Sequence, residues 1–454
     1  MRRHRRLILL AGLLTVLPVA AQPRQVSLEE CLQLAAQHDP DLRGARLDLQ
    51  AARARRSEAR WEYAPRLSVG GFGYYSLRPL IHIAPSDILD GYWSDVLSSM
   101  VTDAAWQAGI TPWFEGFRYG WGAHALALQP VYAGGRIAVG NRLADLGVRA
   151  GELQLSVKQR ETDAAIEEKF RLGVSLQEKM LTLDKTQQLL DSLERSVQAA
   201  VGAGLISDSD LLQVRLKQRE LASGRIRLRS GLKLAKMDLF NAIGLPYAYL
   251  ELDSIVLAGD PSGEPLPPSA WVVDETEVVP DESRLLAMQV EAAGLEKRMA
   301  VGESLPQASV GVTYGYSDLR GSGRGSLNGL GFATLQIPIT DLGKAGARAR
   351  RYDAEVEKAR VQQEYLDAQL TLQMHQLRLE MESAWEQLGV AREAVRVARD
   401  AADKLQVRYD AGQVTMSDLL QAELAVREAE EAEIDRKMDY NIAVNAYLRR
   451  CGKL

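Results

Sequence analysis

Small and apolar residues recur at alternating steps of three and four along two long stretches of this chain, and at steps of two along four short ones. Leu190, Leu193, Val197, Ala200 and Gly204 make one series of the first kind; Val390, Ala394, Val397 and Ala401 make the other. A stripe of that period is the seam of a coiled coil. No proline occurs between Pro130 and Pro246, or after Pro338, so both stretches lack the strongest helix breaker. The pattern predicts a helical hairpin in each, 137–244 and 345–450, with first arms over 137–203 and 345–411. An arm of about 67 residues is roughly 100 Å long at the α-helical rise. A bundle of shorter helices satisfies the same periodicity, with Gly147, Gly151 and Gly173 as its candidate breaks.

Ahead of each hairpin the period changes to two. In "ASVGVTYGY" (308–316) Val310, Val312, Tyr314 and Tyr316 alternate with Ser309, Gly311, Thr313 and Gly315, and "LSVGGFGYYS" (67–76) is its counterpart. Second strands are expected over 120–132 and 327–339, both with Leu-Gln near the end. Segments of about ten residues alternating apolar with small or polar are the signature of transmembrane β-strands, and also of an ordinary half-buried sheet. Four strands cannot close a membrane barrel, whose smallest members have about eight. A membrane reading therefore requires several chains to share one barrel. The loop 317–326 is short, whereas 77–119 holds Tyr92, Trp93, Trp106, Trp113 and Tyr119, which mark either a membrane interface or a small folded cap.

Each hairpin turns at the same phrase. "AGLISDSDLLQ" (203–213) returns as "AGQVTMSDLLQ" (411–421), with seven of eleven letters identical. Ser207 with Asp210, and Thr415 with Asp418, read as capping boxes, and Gly204 and Gly412 stand where a helix must end. "SLEE" at Ser27 is a third box, and Asp39 followed by Pro40 restarts a helix. Six of the sixteen prolines fall in 245–280, which reads as a non-helical connector. The expected organisation is a signal peptide over 1–21, a first structural repeat over 22–245, a connector over 246–280 and a second repeat over 281–454.

The first residues change the compartment. Four arginines, an apolar run from Leu7 to Val19 and the small pair Ala20-Ala21 have the three-part layout of a secretory signal, with an apolar core too short to span a bilayer. Without it Lys+Arg falls from 55 to 51 against 60 Asp+Glu, a net charge of minus nine that disfavours nucleic acid as a partner. Cys31 and Cys451 are available for one disulfide in an oxidising compartment, paired or free. Catalysis finds no constellation: the five histidines are scattered, and there is no Cys-x-x-Cys, phosphate loop or Gly-x-Ser-x-Gly. No enzyme activity, cofactor or metal site is expected.

The duplicated order of "SLEECLQLAAQHDPDL", paired strands, long hairpins and Asp-Leu-Leu tips resembles the TolC family of outer-membrane efflux proteins over nearly the whole chain. The resemblance implies a mainly α fold with an internal two-fold repeat. Three chains would share a twelve-stranded transmembrane β-barrel, continued by a coiled-coil helical barrel. It implies a homotrimer in the outer membrane, extending into the periplasm. A periplasmic adaptor would join it to an inner-membrane pump as the exit duct of a tripartite efflux or type I secretion system. The adaptor-docking tips would be Ala203, Gly204 and Leu205, where the family commonly has Val-Gly-Leu, and Ala411, Gly412 and Gln413, which departs further. Asp418 falls on an acidic entrance position, Gln421 stands where a second carboxylate is expected, and Asp210 is the first tip's counterpart of Asp418. Tyr409 matches a tyrosine that helps hold the entrance closed, and packing between helices is its competing role. The rival reading from another class is a non-conducting periplasmic spacer or adaptor, which has no reason to duplicate glycine- and tyrosine-containing strands.

Overall fold

The computed structural model describes residues 24–78, 81–83, 114–116, 119–204, 206–245, 252–259, 264–275, 278–318 and 325–453. The signal segment, Leu205 and the three tryptophans of the long loop lie outside the described residues.

Helices dominate. α1 (Leu28–His38) and α2 (Pro40–Trp61) precede α3 (Arg136–Gly202) and α4 (Asp208–Ala242); α5 (Asp281–Gly302) precedes α6 (Ile339–Asp410) and α7 (Met416–Arg450). α3 runs unbroken through Gly147, Gly151 and Gly173 for 67 residues, and α6 for 72. The strands are β1 (Arg24–Val26), β2 (Arg66–Tyr75), β3 (Ile81–Ile83), β4 (Phe114–Gly116), β5 (Tyr119–Ala133), β6 (Ile255–Leu257), β7 (Gln307–Asp318) and β8 (Ser326–Gln336). Pro338 accounts for the earlier end of β8 and the earlier start of α6 than the alternation predicts. It has no N–H for a ladder, and it is well tolerated beside a first helical turn, whose N–H groups have no partner. Among the described residues no helix is long and apolar enough to cross a membrane.

The chain divides into two compact units. One, residues Asp48–Glu152 and Arg284–Leu366, holds an antiparallel sheet in the order β2-β5-β7-β8. Pro130 interrupts β5, and the β5–β7 register shifts between Pro130 and Tyr132, the bulge by which a strand accommodates a missing donor. Register separates two faces. One carries Leu67, Val69, Trp121, Val312, Tyr314 and Leu335, all exposed, among alanines and glycines. The other holds Ser68, His124, Ser309, Thr313, Asn328 and Thr334, interspersed with Phe72, Leu126, Leu128, Leu330 and Phe332. Below the sheet, Asn141 Nδ2 donates to the Ala59 carbonyl (2.8 Å), and Arg149 pairs with Glu291 (3.7 Å).

The second unit, Met1–Leu47, Leu153–Ser283 and Asp367–Leu454, contains three apolar clusters. Its parallel pair β1–β6 joins the N-terminal segment to the connector, a contact with no local sequence signal. Val26 and Leu257 carry that pair into the cluster of Cys31, Ile166, Phe170 and Leu239. Lys236 donates its ammonium to the carbonyls of Leu252 (3.1 Å) and Ile255, and burial lowers its pKa. Glu167, only 2% exposed, accepts from Arg171 Nε (2.6 Å) and from Arg449 and Asn445 of α7. Paired on both sides, it spares α3 an uncompensated buried charge.

The disulfide that the two cysteines allow is not made. Both thiols are free, Cys31 in the cluster with Phe170 and Cys451 in another with Met381 and Tyr440. Burial pushes the Cys31 thiol up to about 12, so it packs as a small hydrophobe.

Candidate functional site at the hairpin tips

Both tips are built from backbone before side chains add anything. At the second, the Gly412 N–H bonds the Tyr409 carbonyl and the Gln413 N–H bonds that of Arg408, both at 2.9 Å. These bonds close a Schellman turn, with Gly412 at φ 69°. The first has the inner bond, Gly204 to Val201 at 2.9 Å, with Gly204 at φ 71°. A Cβ on either glycine would meet nothing, so backbone conformation and not space demands glycine here.

The restarts differ. Thr415 Oγ1 accepts from the Asp418 N–H (3.2 Å), while Asp418 Oδ2 accepts from the Thr415 N–H (3.0 Å) and hydroxyl (2.6 Å). These bonds hold the Asp418 carboxyl below its usual range. Ser207 caps α4 by accepting from the Ser209 N–H (3.2 Å), not from Asp210, whose N–H bonds the Ser207 carbonyl. The second capping box forms and the first does not. Burial raises the Tyr409 pKa first, and the fields of Asp210 and Asp410 add to it.

Beneath the turns, Leu183, Leu190, Val197, Val214 and Leu221 pack with Met416, Leu419 and Leu420, and Tyr409 lies against this cluster. Sequence reasoning missed Met416 and Leu420 as anchors. It also missed Leu212, which is 63% exposed. The only usable signal was the contrast of Asp208 with Met416 at matching places in the repeated phrase. Ala203, Gly204, Ala411, Gly412, Gln413 and Gln421 are exposed, and Leu205 lies outside the described residues.

Comparison with known proteins adds two findings. Residues 284–451 match the family model of outer membrane efflux proteins. The whole chain is similar in structure to the outer-membrane channel OprN, with 18% identity, a TM-score of 0.71, and coverage of 94% of this chain and 90% of that one. It is similar to the outer membrane protein VceC of Vibrio cholerae (15%, 0.69, 94% and 96%). The MtrE outer membrane channel of Neisseria gonorrhoeae, solved in its open state, gives 15% and 0.69, with 95% and 89% covered. At these identities the likeness establishes the fold. No curated protein sequence matches.

Proposed function

We propose that this chain, whose residues 284–451 carry the outer membrane efflux protein domain, is the outer-membrane exit duct of a tripartite efflux or type I secretion system. It conducts cargo passively and does no catalysis. Three copies share one barrel of twelve strands, four from each, and the long hairpins of the two repeats continue it into the periplasm.

The observation that carries the reading is the exposed apolar face of the sheet. Leu67 is 80% exposed and Val69 is 86% exposed, which water would penalise and lipid would not. Trp121, its ring tilted against that of Tyr316 (centroids 5.3 Å apart), and Tyr132 stand near opposite ends of β5 on that face. Eleven residues of strand tilted by about 45° rise roughly 25 Å, the height of the apolar band of an outer-membrane barrel. The polar face then lines the lumen.

The tips dock a periplasmic adaptor, linked in turn to an inner-membrane pump. Ala203 and Gly204, with Ala411, Gly412 and Gln413, form that surface. Asp418, Asp210, Tyr409 and Gln421 surround the entrance, where three copies of each carboxylate attract cations.

Single-channel conductance of the detergent-stable oligomer in a planar bilayer tests this. A small, steady, cation-preferring conductance is expected, reduced in preference by Asp418→Asn with Asp210→Asn. A soluble, non-conducting helical protein would instead establish the spacer reading.

A further inference from the structure

The four junctions between strands and helices gather at one edge of the sheet, because β2 and β7 begin where β5 and β8 end. Within residues 55–66, 134–145, 296–306 and 337–348 there are ten Lys/Arg against six Asp/Glu, a net charge of plus four in a chain of net minus five. Much of this charge is internally matched: Arg56 faces Asp145 (4.0 Å), Arg66 faces Glu62, and Arg348 faces Glu303 (3.3 Å). Arg55, Arg60, Arg142 and Arg298 are different. All four are exposed, and none has an ion-pair or hydrogen-bond partner among the described residues. Each lies within six residues of a helix end at this edge, about 9 Å or less along the axis.

Aromatic residues share the edge. Trp61 is 71% exposed and Tyr63 is 53% exposed, and the Tyr63 carbonyl accepts from Gln129 Nε2 (3.0 Å) near the end of β5, where Tyr132 borders the apolar face. A free guanidinium, an amphipathic ring and an apolar surface, in that order, match the successive layers of a lipid monolayer from headgroup to acyl chain. A guanidinium also fits a phosphate diester by paired N–H donors.

We propose that this collar binds the anionic phospholipid headgroups of the membrane leaflet facing the periplasm. Arg55, Arg60, Arg142 and Arg298 take the phosphates, and Trp61, Tyr63 and Tyr132 hold the interface level. The assignment rests on the barrel reading above. It gives the trimer a fixed depth, and a stability that depends on anionic lipid.

The test compares full-length wild type with the Arg55→Gln, Arg60→Gln, Arg142→Gln, Arg298→Gln variant, and with a control, Arg219→Gln, Arg227→Gln, Arg229→Gln, on exposed sites of α4. Each is reconstituted into vesicles of phosphatidylcholine alone, or with about a third phosphatidylglycerol. The readout is the temperature at which the oligomer dissociates. Phosphatidylglycerol should raise that temperature for wild type and control, and at least half of the rise should vanish in the fourfold variant, as it should for wild type in high salt. A full rise in the fourfold variant overturns the proposal. So does dissociation of that variant in phosphatidylcholine alone, which would place these arginines between copies. Inorganic phosphate matching the effect of the lipid would also overturn it. Failure of wild type to enter vesicles at all would count against the duct reading itself.

Discussion

The two tips carry nearly the same eleven letters and do different physical work. Leu420 is 2% exposed and Met416 1%, while Leu212, at the place of Leu420, is 63% exposed, and charged Asp208 stands at the place of Met416. Thr415 forms a reciprocal box with Asp418; Ser207 accepts only from the backbone N–H of Ser209, two residues on. The second tip is thus anchored inward, and the first is left with a leucine facing out. A repeated phrase determines a turn, but the burial of its side chains depends on what the rest of each hairpin packs against. We infer that the first tip is the stickier docking surface and the second the more rigid one.

The comparison can be broken from its strongest side. Met416→Asp, which writes the first tip's acid into the second, should cost about 3–5 kcal/mol by emptying a packed site and burying a carboxylate. Asp208→Met should change stability by less than about 1 kcal/mol. Thermal unfolding followed by circular dichroism measures both, and equal effects would erase the distinction. Leu420→Ala should cost about 2–4 kcal/mol. Leu212→Ala should leave stability within about 0.5 kcal/mol while weakening adaptor binding roughly tenfold, as titration of the purified partner would register.

Smaller effects sharpen the picture. Gly204→Ala and Gly412→Ala should each cost about 1 kcal/mol, and by similar amounts, because the penalty comes from the positive φ alone. A large difference between them would mean that side-chain space, not backbone, sets the turn. Thr415→Ala should cost about 1 kcal/mol and Ser207→Ala less, since only the former loses a box.

The smallest effect concerns acid. Asp418 is held below the ordinary carboxylate range by its bonds to Thr415. A carboxyl depressed on folding contributes stability that is complete above its unfolded value, near 4, and is lost as pH falls through the folded one. Melting temperatures of wild type against Asp418→Asn between pH 5 and 2 should therefore converge as pH falls. A constant gap would mean the capping bonds do not depend on the charge.

Much of the architecture was legible because it is local. Proline-free stretches with a coiled-coil stripe coincide with α3, α4, α6 and α7, and alternation coincides with β2, β5, β7 and β8, since side-chain period and backbone period are the same fact. The turn glycines were equally readable, because positive φ is a property of one residue. The candidate site was legible as positions and only partly as roles. Tyr409 was recognisable, but its nearness to Asp210 joins residues some two hundred positions apart.

By itself, the sequence determined the long helices, the four strands of the main sheet and the two hairpin turns, and that an apolar sheet face exists at all; the short pairs β1–β6 and β3–β4 were not in it. Only the tertiary structure decided which of two identical leucines is buried and which capping box closes. It also decided that Cys31 and Cys451 sit in separate cores, and that Glu167 finds Arg449. The physical reason is range: period and cap are set by the nearest few residues, whereas burial and charge pairing depend on neighbours that only the folded chain brings together.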